Sequence, residues 1–173
     1  MILRLPFARV FMSLVVFSTL LASVAYAQSE SEIPPDFRDL YWGDPLTALG
    51  RGAIEVSQSD GIVAYTKLGD NPSLGSLRAN YIAYMFFDNK LLGVVIGIRD
   101  ADTGKAKEIL NAKYGKPVRE NQFSDDASWA TDRTLAFLYD RYSNSQILLL
   151  SIEINTEYEM WRAEQAAKDA QAW

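Results

Sequence analysis

Apolar residues along this chain recur mainly with the two-residue period of β-strands. Ile54 and Val56 alternate with polar neighbours, and Asp60-Gly61 is a typical hairpin turn before the next apolar run. Residues 78–87 and 91–98 are apolar at nearly every position, which is typical of central strands covered on both faces. The pattern predicts strands at 54–56, 62–67, 78–87, 91–98, 128–131, 133–141 and 146–154.

Capping residues delimit three predicted helices. Asp44 precedes a proline suited to the first helical position, and Asp102 is expected to cap the second helix. Gly115 then ends that helix. Thr156 with Glu159 matches a capping box at the start of the third helix. The three helices are predicted at 45–50, 103–114 and 155–173.

The predicted order is a helix, four strands, a helix, three strands and a helix. Strands joined by short turns pair antiparallel, and helices beside such a sheet cover it. The expected fold class is α+β: a single domain in which a curved antiparallel sheet of about six to seven strands carries helices packed on one face. The domain is expected at 37–154, with a flexible lead-in at 28–36 and a C-terminal helix at 155–173.

The first 27 residues have the three parts of a secretory signal peptide. Arg4 and Arg9 supply a positive start, residues 10–24 are apolar and uncharged, and Ala25 and Ala27 are small residues where signal peptidase reads. The alternative is a membrane anchor, but a spanning helix needs about 20 apolar residues and this run has 15. We expect cleavage near Ala27 and a mature protein that is periplasmic or secreted, with no stable membrane anchor.

Charge and composition narrow the class of partner. The chain has 22 acidic and 17 basic residues, a net charge of −5 and no basic cluster. Nucleic acid is therefore not an expected partner, because phosphate contacts dominate that affinity. No polybasic segment is present to bind anionic lipid. The chain also lacks cysteine and hence disulfides, and a cysteine-free exported domain fits a bacterial periplasm.

Missing residue types exclude several chemistries. Without His or Cys, the chain has no Ser–His or Cys–His nucleophilic mechanism and no His- or Cys-based metal or haem site. Glycine-rich phosphate loops are missing as well. We therefore expect no enzyme activity, no cofactor, and no catalytic, cofactor-binding or metal-binding residue.

Two pairs of carboxylates leave alternatives open. Asp100 and Asp102 precede a glycine, as at the start of a calcium loop, but the closing glutamate is missing and a helix N-terminus explains them better. Asp125 and Asp126 lie ahead of Trp129, as a sugar-cleaving acid beside an aromatic platform would. Glycoside hydrolysis needs two carboxylates facing each other across a cleft. Adjacent residues seldom provide that, so a solvated loop is the favoured interpretation.

Two short motifs stand out at the ends of predicted elements. Residues 37–43 read FRDLYWG, an F-x4-W-G start, and residues 113–117 read KYGKP, a Y-G-x-P helix end followed by a strand with Trp129. Together they resemble a group of small exported bacterial proteins of unknown function, over about residues 37–154. The resemblance implies a periplasmic location and an α+β fold, and it supplies no catalytic residue.

Aromatic residues near the two ends of the domain are the candidate partner-binding residues. They are Tyr158, Trp161, Trp173, Tyr41 and Trp42. The first three belong to a helix with a thin stripe of small residues, which is compatible either with docking on a partner chain or with a loosely packed terminal helix. The alternative for the pair Tyr41 and Trp42 is that Trp42 occupies a core position at the end of the sheet.

The sequence thus predicts an exported, non-catalytic module that binds another envelope protein or a small ligand. One alternative is a structural or oligomerising envelope protein, which a long exposed sheet edge would favour. A second is a carboxylate-based hydrolase, which a cleft with paired acids of shifted pKa would favour. The sequence does not set the oligomeric state.

Overall fold

The computed structural model describes residues 34–141 and 145–171. The chain divides into two units, 1–34 and 35–173, and the second contains every element described below. The predicted signal peptide at 1–27 and most of the predicted lead-in at 28–36 lie outside the described residues. Across the described ranges, no helix combines the length and the apolar character needed to cross a lipid bilayer.

The described part of the chain forms one sheet of eight strands and a separate hairpin of two strands. The strands are β1 (Ala53–Ser59), β2 (Ile62–Lys67), β3 (Ser73–Leu74), β4 (Leu77–Arg78), β5 (Tyr81–Phe87), β6 (Lys90–Gly97), β7 (Arg119–Glu120), β8 (Ala127–Ala130), β9 (Thr134–Tyr139) and β10 (Gln146–Ser151). In the large sheet their order is β1-β2-β5-β6-β10-β9-β8-β7, and each neighbouring pair is antiparallel. The predicted α+β class with an antiparallel sheet is confirmed.

The large sheet has more strands than the predicted six to seven. The additional edge strand, β7, consists of two charged residues and is exposed, so it has no apolar alternation to reveal it. The hairpin of β3 and β4 is formed by strands of two residues each, within a stretch that reads as a loop. These three short strands are defined by backbone hydrogen bonds to a neighbouring strand and not by an alternation of apolar and polar side chains.

Two α-helices and two short 3-10 helices accompany the sheets in the described ranges. The α-helices are α1 (Thr103–Tyr114) and α2 (Ile152–Gln171), and the 3-10 helices are Leu46–Leu49 and Asp100–Asp102. The bounds of α1 are those predicted. The predicted first helix is only a 3-10 turn, because four residues provide too few backbone hydrogen bonds to offset the cost of starting an α-helix.

The two α-helices pack on opposite faces of the sheet, so the prediction that the helices lie on one face is wrong. Alternate residues of β10 point to opposite sides: Ile147 and Leu149 join the core under α1, whereas Leu150 packs with α2. Strands β5 and β6 are apolar on both sides. Both faces therefore need cover, which helices on one side alone cannot provide.

The larger core lies between the sheet and α1. It is built from alternate residues of the central strands, the segment before β1, and two residues of α1, Ala106 and Leu110. Trp129 of β8 is fully buried there, and its indole Nε1 donates to the Asn111 side chain and to the Gly115 backbone oxygen, both at 3.1 Å. The end of α1 and the strand after it are thereby fixed to each other.

The start of α2 differs from the predicted one at Asn155 or Thr156. The helix follows β10 without a loop, and the buried Ser151 hydroxyl accepts a hydrogen bond from the Ile154 backbone at 3.2 Å. Thr156 instead lies inside the helix, and its hydroxyl donates to the Ile152 carbonyl at 2.7 Å. Ser151 therefore performs the capping role expected of Thr156.

Candidate binding site

A cleft of about 660 Å³ opens beside the short edge strand β7. It lies against β8 and β9, and both aromatic and charged side chains contribute to its walls. Its lining residues are Arg119, Glu120, Asn121, Gln122, Phe123, Asp126, Ala127, Ser128, Phe137, Leu138, Tyr139 and Arg141. We call this concavity the edge cleft.

Three side chains of one strand face form a stack along the edge cleft. Phe137 and Tyr139 are two residues apart on β9, so both point to the same side of the sheet. Their rings are nearly parallel, 7° apart, with centroids separated by 6.0 Å. The guanidinium carbon of Arg141 lies 5.7 Å from the centroid of the Tyr139 ring. We call these three residues the aromatic ladder.

Asp126 holds the outer end of the aromatic ladder in place. Its two carboxylate oxygens accept hydrogen bonds from Arg141 at 3.1 and 2.8 Å, and the Asp140 backbone N–H donates to it at 2.6 Å. Partial burial opposes ionisation of Asp126, but these hydrogen bonds outweigh it and lower its pKa. Asp126 is therefore an ionised anchor for Arg141 and not a proton donor near neutral pH.

Asp125 points away from Asp126, into a neighbouring and more polar cleft. The hydroxyl of Thr103 donates to its carboxylate at 3.0 Å, and the Lys107 ammonium lies 3.7 Å from it. Lys107 also pairs with Glu120 at 2.6 Å, and this hydrogen bond raises the lysine pKa. The adjacent carboxylates thus have different partners and do not face each other across a cleft. Trp129, which would be the aromatic platform, is buried.

The other carboxylate pair lies in the turn that leads into α1. Asp102 pairs with Arg99 at 2.7 Å and makes no side-chain hydrogen bond to the helix N-terminus, so the predicted cap is wrong. Asp100 accepts from the Ser145 hydroxyl at 2.9 Å. Because α1 follows directly, the chain cannot complete a calcium loop here. Within the described ranges, no group of three or more acidic side chains is placed to hold a metal ion.

The edge cleft also has a cation and an aromatic ring that face solvent. Arg141 and Glu120 are used in ion pairs, whereas Arg119 forms none with the described part of the chain. Phe123, in the loop between β7 and β8, is 87% exposed. The edge cleft thus has an exposed ring, Phe123, and a guanidinium, Arg119, without an ion-pair partner in the described ranges.

The predicted partner-binding residues of α2 anchor the helix to the sheet. Tyr158 is only 9% exposed, and its ring meets Phe87 with centroids 5.4 Å apart. Trp161 stacks on Tyr158 at 6.2 Å and also contacts Phe87 at 5.6 Å. The structure therefore brings these two residues together. Trp173 lies outside the described residues, and a partner-binding role for these three positions stays a prediction.

The predicted pair Tyr41 and Trp42 is divided between surface and interior. Tyr41 is exposed, whereas the indole Nε1 of Trp42 donates to the Thr134 hydroxyl at 2.9 Å. The Trp42 backbone N–H donates to Asp36 at 2.9 Å, and Asp36 in turn pairs with Arg133 at 2.8 Å. Trp42 is thus tied into the domain, and Tyr41 alone of the pair offers a free surface. Their partner-binding role also stays a prediction.

Sequence reasoning missed the edge cleft. The alternation of Phe137, Tyr139 and Arg141 was visible, since all three occupy one face of a predicted strand. The salt bridge that fixes the aromatic ladder joins Arg141 to Asp126, fifteen positions earlier in the chain. A pattern of neighbouring residues in the sequence does not predict this contact. No protein-family model, curated protein or solved structure matches this chain, so its function is inferred from its own residues.

Proposed function

We propose that this chain is an exported, non-catalytic binding module and that the edge cleft is its binding site. The observation that carries the proposal is the aromatic ladder, whose outer end is fixed by the two hydrogen bonds between Arg141 and Asp126. A surface held in one conformation loses little entropy when a ligand binds, which raises affinity.

The side chains of the edge cleft favour a partner with an apolar part and a nearby negative charge. Phe123 and the aromatic ladder offer ring surface, and Arg119 offers a guanidinium without an ion-pair partner in the described ranges. A guanidinium recognises carboxylates through two parallel hydrogen bonds. A segment of another envelope protein that carries an apolar residue beside Asp or Glu satisfies both requirements.

Three observations support binding rather than catalysis. The lowered pKa of Asp126 is the opposite of what a general acid near neutral pH needs. Its neighbour Asp125 is bound to Thr103 and Lys107, so the two acids do not form a catalytic pair. The chain also has no His or Cys to act as a nucleophile or base.

Export through a cleavable leader at 1–27 is part of the proposal, and it rests on the charged start, the apolar run and the small residues before position 28. A mature protein that begins near Gln28 and accumulates in the periplasm or the medium is the expected result. N-terminal sequencing of the protein from the periplasm and from the medium identifies the first residue of the mature chain. A mature chain that begins at Met1 would refute the leader.

Site-specific photo-crosslinking in the exporting cell tests the edge cleft as the binding site. A photoreactive residue replaces Phe123 in the cleft or Met160 on the outer side of α2, both of which are exposed. We expect one discrete heterologous adduct from position 123, identified by mass spectrometry and lost in an Arg119→Glu background. An adduct from position 160 alone would instead favour the predicted helix site.

A second candidate function, an oligomerising envelope protein, is favoured by a different observation. Strand β1 is a long and exposed edge of the large sheet. Edges of this kind are templates for pairing with another chain.

A further inference from the structure

The outer edge of β1 is only partly protected against pairing. Its seven residues include no Pro and no Lys, and its one irregularity is a bulge between Glu55 and Ser57. Two apolar side chains on it are exposed, Ile54 by 44% and Val56 by 54%, and the adjacent Leu68 is 67% exposed. Natural sheets shield such an edge with charges, Pro, bulges or a covering element. On β1 only Glu55 and the bulge do so, and Ile54 and Val56 stay exposed.

The opposite edge of the same sheet is protected. Strand β7 has only two residues, both charged, and it follows Pro117 closely. The difference between the two edges indicates that the open state of β1 is a feature of this sequence and not a general property of the sheet.

The second half of α2 continues past the turn between β1 and β2. Successive sheet contacts along the helix are Ile154 and Tyr158 in the cluster with Phe87 and Leu92, and then Trp161 against Gly61 in the turn between β1 and β2. The helix therefore crosses the sheet toward β1 as it proceeds. Residues 162–171 continue in the same direction for about 15 Å, and nearly all of them are exposed.

Opposite charges flank β1 at its two ends. Arg51 precedes the strand and Asp60 follows it. When two such strands lie antiparallel, each Arg51 comes beside the Asp60 of the other strand, whereas parallel strands would place like charges together. The strand is thus complementary to a second copy of itself.

We propose that two copies of this chain pair through β1 in antiparallel orientation, about a two-fold axis near Val56. The two large sheets become one continuous sheet, and the contact is isologous, as in most symmetric dimers. In this register Arg51 of each copy lies opposite Gly61 of the other copy and next to its Asp60. This dimer does not depend on the edge cleft, which lies at the far side of the sheet.

The overhanging half of α2 covers the apolar residues that β1 leaves exposed. Ile54 pairs with Thr66, and Leu68 lies on the same side of the sheet as Thr66. This is the side on which α2 packs. In the antiparallel dimer the α2 end of one β1 lies beside the start of the other. The helix of each copy therefore passes over Ile54 and Leu68 of its partner. Strand pairing and helix cover together supply more contact than an edge of seven residues alone, and stable interfaces bury about 800 Å² per partner.

Sedimentation equilibrium of the protein, produced with its own leader and purified from the fraction where it accumulates, tests the dimer. We expect twice the monomer mass, and we expect Val56→Lys to give monomers because it places two lysines together at the two-fold axis. Val118→Lys, at an exposed valine near the other edge, is the control and stays dimeric. Thermal unfolding by circular dichroism verifies that each variant is folded. A monomeric wild type, or a dimeric Val56→Lys, overturns the proposal.

Charge reversal tests the orientation of the pair. Arg51→Asp alone and Asp60→Arg alone each place like charges at both ends of the interface, and each is expected to weaken the dimer about tenfold. An equimolar mixture of the two variants restores opposite charges at both ends, so heterodimers of nearly wild-type affinity are expected. Hydrogen exchange of the β1 backbone amides, slow in the dimer and fast in Val56→Lys, locates the contact. A mixture no tighter than either variant, or unprotected β1 amides in a dimer, refutes this arrangement.

Discussion

The indole of Trp161 lies directly against Gly61, so that a Cβ at that position would be 2.8 Å from a ring carbon. Gly61 also has a positive φ of 79°, in the tight turn between β1 and β2. One glycine therefore serves both the turn and the docking of α2. This contact fixes where the helix crosses the sheet, and the following residues extend from it.

Gly61→Ala is expected to lower the free energy of unfolding by more than its backbone strain alone. Gly69 also has a positive φ, but nothing lies within 4 Å of the position of its Cβ. Gly69→Ala therefore measures only the left-handed backbone cost, about 1 kcal/mol. Gly61→Ala adds about 1–3 kcal/mol for displacing Trp161. Urea unfolding compares the two variants, and equal losses would show that Trp161 does not pack on Gly61.

Gly97 and Tyr81 are predicted to be energetically coupled. The Tyr81 ring lies across Gly97 on the next strand, where a Cβ would be 2.1 Å from its Cε1. Gly97→Ala should destabilise the domain by about 1–3 kcal/mol, and by much less in a Tyr81→Ala background. A double-mutant cycle measures this coupling. Gly104→Ala is the control, because its helical site has open space and alanine favours a helix.

Two tyrosines of the larger core, Tyr84 and Tyr114, should respond in opposite ways to loss of the hydroxyl. The Tyr84 hydroxyl donates to Asp70 at 2.7 Å and accepts from Arg38 at 3.3 Å. The Tyr114 hydroxyl is buried with no hydrogen-bond partner among the described residues. We expect Tyr84→Phe to cost about 1.5–3 kcal/mol and Tyr114→Phe to be neutral or stabilising. Denaturant unfolding of both variants compares them, and equal costs would contradict the two assignments.

Burial also raises the pKa of the Tyr114 phenol to about 12, from an ordinary value of 10.0. Because burial penalises the phenolate, stability does not depend on this group's ionisation below pH 10.0, and stability falls as pH rises from 10.0 toward 12. Tyr114→Phe should therefore lessen the alkaline loss of stability. Unfolding free energies measured across that range provide the comparison, and identical profiles for variant and wild type would count against it.

The salt bridge of Asp126 predicts an acid dependence of stability. Its folded pKa is lowered, so its contribution is fully present above the ordinary carboxyl value of 3.8 and is lost as pH falls through the folded pKa. Asp126→Asn is expected to remove the part of the acid-induced loss of stability that comes from this carboxylate. Glu164→Gln, at an exposed position of α2, is the control that retains it. Unfolding free energies from neutral to acidic pH distinguish the two variants.

Strong apolar runs made much of the fold predictable. Continuous apolar stretches predict strands β5 and β6, and Gly115 at the helix end predicts where α1 stops. The side of the sheet on which α2 packs was not predictable in the same way. It is decided by Ser151, which caps the helix directly at the end of β10 and leaves no loop to redirect the chain.

Long-range contacts explain why the candidate site was missed. The pairs that position it, Arg141 with Asp126 and Lys107 with Glu120, join residues that are far apart in the chain. Tyr158 and Trp161 were recognised as aromatic residues of interest, but their contacts with Phe87 were not predictable from helical spacing. The pattern of a single sequence identifies which face of a helix or strand is apolar. The function of a residue depends in addition on the distant residues that contact it in the fold.

The unequal edges of the large sheet set a limit on assembly size. Once β1 of one copy has met β1 of another, the outermost strand on each side is β7, with its two charged residues behind Pro117. Such a strand offers almost no template for a third copy. In the proposed dimer, growth by strand addition therefore stops at two copies, because the remaining edge strand is too short and too charged to pair with a third.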